Sequence, residues 1–260
     1  YKTKDERFVI KQIPSIEAKC YEEFIDVYLD YLYNCLSQNL ETCLCKIFGL
    51  YKITIWNGAT VKSQHFYIIM ENIFYNFPVD RLYDVKGCIR KKTKKSGSSV
   101  YSDSDILETL LNDPIFVQHK LFSKIYISLR SDTRFLEDIS VVDYSLIVGV
   151  NNEKNSLKVG VIDYLRKYTW DKRLESAVKS GIMIATSSGR TPTIVPPIEY
   201  RMRFMDAIKM YFFPVPTKWE YLEIVKKGSK SDVYYINECE EEKYDLIKSC
   251  KPLCVRKILD

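Results

Sequence analysis

The chain reads as an α+β fold, and three patterns carry that reading. A short apolar strand, an amphipathic helix and a β-hairpin all fall before residue 75. Two later apolar strands, joined by a polar turn, each carry one acid, Asp143 and Asp163. With 46% hydrophobic and 28% charged residues over 260 positions, there is apolar surface for one large or two small cores.

Residues 7–13, RFVIKQI, form the first strand, with Lys11 among Val9, Ile10 and Ile13. A lone lysine in such a strand is more often an edge residue reaching for water than a phosphate ligand. Pro14 ends the strand, and Ser15 is placed to cap a helix. Phe24, Val27, Tyr28, Tyr31, Leu32 and Cys35 recur near helical spacing, which predicts a helix over 15–36. Residues 45–56 follow as an aromatic and β-branched strand, Asn57-Gly58 as a hairpin turn, and 65–70 as the returning strand.

Residues 83–87, YDVKG, run into a basic loop at 90–95, a pattern that is usually a solvated surface. The Ser-rich stretch 96–104 reads as a mobile connection, and 105–112, 114–122 and 123–136 read as helical. Asp143 then stands between apolar runs, 151–155 is a turn, and 157–163 is a strand ending on Asp163. An acid at the end of a buried strand sits at the edge of the core, facing a cleft. Behind it comes a basic, aromatic segment with Arg166, Lys167, Trp170, Lys172, Arg173 and Lys179. Taken alone, that segment is a solvated amphipathic helix. Residues 182–193 are loop-like, and 198–212 are helical, with Tyr200, Phe204, Ala207, Ile208 and Tyr211 on one face and Pro214 and Pro216 ending the helix. After Trp219 the composition turns linker-like at 226–231 and acidic at 238–242.

The net charge of +5 suits phosphate-bearing partners without requiring nucleic acid, and none is expected. No apolar run reaches the 18 or more residues of a spanning helix, and YKTKDERF lacks the apolar core of a signal peptide. Eight Cys without metal-binding spacing read as free thiols of a reducing compartment, and two His leave little scope for His-based acid–base chemistry.

Lys11, Asp84, Lys86, Asp143 and Asp163 are the polar residues set against apolar strands. Two lysines and three acids suit phosphoryl transfer, which needs a lysine on nucleotide phosphates, carboxylates for Mg²⁺ and one carboxylate to orient the attacking hydroxyl. At these residues the sequence resembles the phosphatidylinositol phosphate kinases, in particular the phosphatidylinositol 3-phosphate 5-kinase (PIKfyve-type) branch. The motifs are RFVIKQI at 7–13, IIMEN at 68–72, DVKG at 84–87, VDYSLIVG at 142–149, VIDYLRKYTWDKRLE at 161–175 and PTIVPPIEYRMRF at 192–204, in the family's order.

The resemblance implies a two-lobe phosphatidylinositol phosphate kinase fold, distantly like the protein kinases. The catalytic domain would span 1–219, with a small lobe over about 1–75, a large lobe over about 76–219, and 220–260 as an extension of unknown role. The family's Gly-rich phosphate loop stands ahead of the lysine strand, so the small lobe is expected to be truncated at its start. Lys11 would bind ATP phosphates, with Met70, Glu71 and Asn72 beside adenine. Lys86 would face the phosphates from a turn shaped by Asp84 and Gly87, although DVKGC, with Val85 and Cys88, replaces the family's DLKGS. Asp143 would be the catalytic aspartate and Asp163 the Mg²⁺ ligand.

Residues 164–195 would be the activation loop that selects the lipid and meets the membrane through Lys167, Trp170, Lys172 and Arg173, with Glu175 where the 5-kinases carry Glu. Residues 164–180 are expected to be disordered, or helical and mobile, without lipid. The implied activity is transfer of the ATP γ-phosphate to the 5-hydroxyl of phosphatidylinositol 3-phosphate. The alternatives are a phosphatidylinositol 4-phosphate 5-kinase or a catalytically silent phosphoinositide-binding pseudokinase. A soluble inositol phosphate kinase fits the basic segment around Trp170 less well. The expected setting is the cytoplasm, peripheral on endosomal or vacuolar membranes, with an anionic phosphoinositide surface as partner and room for regulatory proteins.

Overall fold

In the computed structural model, residues 1–88, 100–109, 114–168 and 195–216 are described. All but Pro216 belong to one compact unit, Tyr1–Val215.

Strand β1 (Phe8–Ile13) and the hairpin β2 (Ile47–Asn57) and β3 (Thr60–Glu71) form an antiparallel sheet of order β1-β3-β2. Gly58, at φ 60°, makes the turn. The returning strand is longer than the pattern at 65–70 indicated, because Thr60–Gln64 pair back onto Thr54–Asn57. The outgoing strand starts later than residue 45, because Cys43 and Cys45 bond instead to Val161 of another sheet. Pairing Lys11 with Ile68 and Val9 with Met70 puts Lys11 and Met70 on one face of the sheet.

Helix α1 (Ser15–Ser37) packs its stripe of Ala18, Tyr21, Phe24 and Tyr28 into the core. Its cap is Pro14 rather than Ser15, with no side-chain bond. Proline's fixed φ of −68° carries the extended strand straight into the helix, so Ser15 is already helical.

The second sheet has the order β5-β4-β8-β9. Its strands are β4 (Arg81–Val85), β5 (Val100–Ser102), β8 (Ser145–Asn151) and β9 (Ser156–Ile162). The register pairs Val85 with Leu146 and Ser145 with Ile162. Lys86, Asp143 and Asp163 therefore all leave the sheet at one end. Ser96–Ser104 was expected to be a connection throughout; instead Val100–Ser102 pair parallel with β4 and Asp103 begins helix α2 (Asp103–Thr109).

Of the stretch 114–122, which the pattern suggested was helical throughout, only 119–122 are. Ile115–Gln118 form strand β6, whose alternating burial is a strand period, and helix α3 (His119–Asp138) begins only afterwards. The partner of β6 is β11 (Phe212–Val215), parallel to it. Pro214 therefore lies in a strand that follows helix α4 (Pro197–Tyr211), a two-stranded setting that tolerates its missing N–H. The remaining pair is β7 (Val141–Val142) with β10 (Arg166–Lys167), antiparallel.

Candidate active site

Two acids carry the site, and both sit in the left-handed region, Asp143 at φ 64° and Asp163 at φ 62°. That conformation is uncommon for residues with a side chain, though Asp tolerates it better than most. Each acid is followed by a tyrosine that is 1% exposed. Tyr144 packs edge-on against Tyr200 and Phe204, and Tyr200 donates a 2.5 Å hydrogen bond to the Tyr144 carbonyl. Tyr164 donates to the Cys45 carbonyl and lies 3.3 Å from the Tyr28 hydroxyl. The tyrosines plug the core, and the reversed backbone turns the acids outward.

Lys11 Nζ meets Asp163 Oδ1 at 2.5 Å across the two sheets. Asp163 Oδ2 has no hydrogen-bond partner among the described residues. Lys86 Nζ bonds the Asp143 carbonyl at 2.8 Å and Oδ1 at 3.0 Å, while Arg166 Nη1 holds Oδ2 at 3.0 Å. The Lys86 turn is pinned by the buried Asp103, whose carboxylate accepts from the amides of Lys86 (3.0 Å) and Gly87 (2.9 Å). That is a correction: Asp84, expected to shape this turn, lies in β4, and its buried Oδ1 has no hydrogen-bond partner among the described residues.

Glu17, in the first turn of α1, joins the two pairs electrostatically. Burial raises its carboxyl above the ordinary value; Lys11 and Arg166 pull it down, and Asp163 and Asp143 push it further up. Three carboxylates and three cations thus share one region. The sequence reading missed Glu17, Asp103 and the pairing of Arg166. An Asp-Tyr dipeptide recurring after an apolar strand was the available signal for the paired acids.

Of the other expected residues, Met70 is buried and Glu71 is salt-bridged to Lys46 at 3.0 Å. Asn72 is buried, donating from its side chain to the Glu6 carbonyl at 2.6 Å and from its amide to the Arg7 carbonyl. Lys167 is ion-paired to Glu23 at 2.8 Å. Trp170, Lys172, Arg173 and Glu175 lie outside the described residues, as do the loop expected at 182–193 and the segment 220–260. The expectation of a mobile 164–180 fails for its first residues: Tyr164 and Leu165 are buried, and Arg166–Lys167 form a strand. Cavities of about 500 Å³ along α4 and about 240 Å³ beside Thr42–Lys46 both lie away from Lys11, Asp143 and Asp163. The ion pairs and their shared electrostatics, rather than a cavity, mark the site.

The family model for phosphatidylinositol-4-phosphate 5-kinase matches residues 1–158 and 151–211. The chain belongs to that family. It is 40% identical over 222 residues to a putative 1-phosphatidylinositol-3-phosphate 5-kinase of Arabidopsis thaliana. Human 1-phosphatidylinositol 3-phosphate 5-kinase is 35% identical, and that of Saccharomyces cerevisiae 36%, each over 226 residues. Each match covers 84% of this chain but only 14%, 11% and 10% of the respective relative. All the motifs singled out in the sequence fall within or close to the family match.

Proposed function

We propose that the chain is the catalytic part of a lipid kinase that transfers the γ-phosphate of ATP to the 5-hydroxyl of phosphatidylinositol 3-phosphate, giving phosphatidylinositol 3,5-bisphosphate. The observation that carries this reading is the arrival of the Lys11–Asp163 and Lys86–Asp143 pairs at one end of the sheet. The names of the relatives support the substrate. In this reading the fold is a two-lobe kinase, with the first sheet and α1 as the small lobe and the rest to about residue 219 as the large lobe.

Lys11 leaves Asp163 for the phosphate oxygens of ATP, and Met70, Glu71 and Asn72 lie toward the adenine. Asp163, with one carboxylate oxygen unbonded among the described residues, would hold Mg²⁺, a fit for a hard cation usually bound by one or two carboxylates plus phosphates. When bound, Mg²⁺ neutralises charge developing on the transferred phosphoryl group. Asp143 orients the ring hydroxyl and accepts its proton, and Lys86 fixes that carboxylate from its pinned turn. In this reading the segment with Trp170, Lys172, Arg173 and Glu175 meets the anionic surface, and the protein works at the cytoplasmic face of endosomal or vacuolar membranes. The test is product analysis after incubation with ATP, Mg²⁺ and liposomes carrying phosphatidylinositol 3-phosphate or 4-phosphate. A 3,5-bisphosphate product is expected. Production of only the 4,5-isomer, or of no lipid product, overturns the assignment.

A further inference from the structure

Asp143 is the group that the proposed reaction needs free, yet both its carboxylate oxygens are engaged. The two cations that engage it are not equivalent. Lys86 is anchored twice, at the carboxylate and at the backbone carbonyl, and its side chain is 24% exposed. Arg166 is 51% exposed, and among the described residues its guanidinium makes a single hydrogen bond, from Nη1. Its backbone is fixed beside the acid, because Arg166 pairs with Val142, the residue before Asp143. A guanidinium has five donors in a planar fork, so most of this one remains available to an incoming anion.

We propose, resting on the kinase reading of the site, that Arg166 receives the phosphate already carried by the inositol ring. By taking that phosphate it releases Asp143 to accept the hydroxyl proton. The direction follows from charge and geometry. The Asp143 side chain is only 19% exposed, but the arginine that covers it is half in water and holds it by one bond, so little is lost when the guanidinium swings to another anion. A phosphate monoester brings nearly two charges and accepts bidentate bonds from the same fork. The proton then passes from the ring hydroxyl to Asp143 Oδ2, the hydroxyl oxygen bonds the γ-phosphorus, and the bond from that phosphorus to the β–γ bridging oxygen breaks, leaving ADP. A headgroup without a ring phosphate does not draw Arg166 away and leaves Asp143 covered. Selection then acts on turnover as well as binding, since the phosphate's binding energy is used to assemble the reactive site.

Calorimetric binding of inositol 1,3-bisphosphate to the full chain tests this, with inositol 1-phosphate and inorganic phosphate as comparison ligands. Arg166→Gln should weaken inositol 1,3-bisphosphate at least tenfold, and Arg166→Lys by less. Asp143→Asn should tighten it several-fold by freeing Arg166, and the double variant should bind no more tightly than Arg166→Gln. Unchanged affinity in Arg166→Gln, or no tightening in Asp143→Asn, overturns the proposal. So does an equal loss for all three ligands, which would make Arg166 a general anion contact. Because binding needs no turnover, a chain that follows this pattern but phosphorylates no lipid would sink the kinase reading, and with it the catalytic release of Asp143, leaving only Arg166 as the contact for the ring phosphate. In active protein, the ratio of kcat/KM for phosphatidylinositol 3-phosphate over phosphatidylinositol should collapse in Arg166→Gln and be partly restored in Arg166→Lys.

Discussion

Single residues set the chemistry here by how they are held. Asp143→Asn keeps the size of the side chain and one acceptor oxygen for Lys86 but removes the charge and the acceptor for Arg166, so lipid phosphorylation should fall by about 10²–10⁴-fold, the range for losing a positioned base. Thermal unfolding should change little, and a variant retaining most of its activity would remove Asp143 from the mechanism. Lys11→Met should impair ATP binding while leaving liposome binding nearly intact; equal loss of both would mark Lys11 as structural. Tyr164→Phe leaves the Cys45 carbonyl without its buried donor and should cost about 1–3 kcal/mol, read as a lower denaturation midpoint. Burial pushes the Cys45 thiol from 9.0 up to about 12 and the Tyr21 hydroxyl from 10.0 up to about 12. The folded chain therefore holds these protons more tightly than the unfolded one. The resulting stabilisation is fully present below the unfolded values and is lost as pH climbs from about 9 to about 12. Melting temperatures followed across that window should fall steadily, and a flat profile would contradict the burial.

At the scale of elements, the site depends on three strand ends and one turn. The turn after β4 is tight against α4. A Cβ on Gly87 would meet the Arg203 carbonyl oxygen at 2.7 Å, and its φ of +66° already disfavours a side chain. Gly87→Ala must shift backbone rather than a flexible side chain, and Lys86 shifts with it. We expect lipid phosphorylation to drop more than liposome binding does. Full activity would mean that the turn tolerates displacement and that the Lys86–Asp143 geometry is not limiting. The same logic explains the short pairing of β7 with β10. Two ladder positions suffice to set Arg166 next to Asp143 and to tie Lys167 to Glu23 on α1.

At the scale of the molecule, the proposed membrane contact rests on charge. Each Lys or Arg near an anionic bilayer contributes about 1 kcal/mol. With Lys167 held by Glu23, the proposed contact falls to Lys172, Arg173 and their neighbours. Charge reversal of Lys172 and Arg173 together to Glu should weaken both sedimentation with anionic liposomes and lipid phosphorylation. High salt should mimic the effect on wild-type binding. Undiminished lipid phosphorylation in the double variant would end the membrane-contact proposal without touching the kinase assignment.

The amino-acid pattern alone determined which segments are strands and helices wherever a period ran long enough. It marked helix α1 and part of its stripe, though Val27 is exposed and Ala18 and Tyr21 complete the buried face, and it marked the hairpin at Asn57-Gly58, the face of α4 and the two strands flanking Asp143 and Asp163. It also named Lys11, Lys86 and both acids as candidates, because a charge set against an apolar run stands out locally. Only the tertiary structure decided who meets whom. Lys11 and Asp163 are 152 residues apart, and Lys86 and Asp143 are 57 apart. No local pattern encodes such a pairing, which depends on strand register and on how the sheets close. The same limit hid β6: a four-residue segment, three of it apolar, ahead of a helix read as more helix until a parallel partner 97 positions later, Phe212 opposite Ile115, made it a strand. Asp103, Glu17 and the pairing of Arg166 escaped notice for that reason too. Each is an ordinary charged residue in its own segment and gains its role from groups that folding brings alongside it.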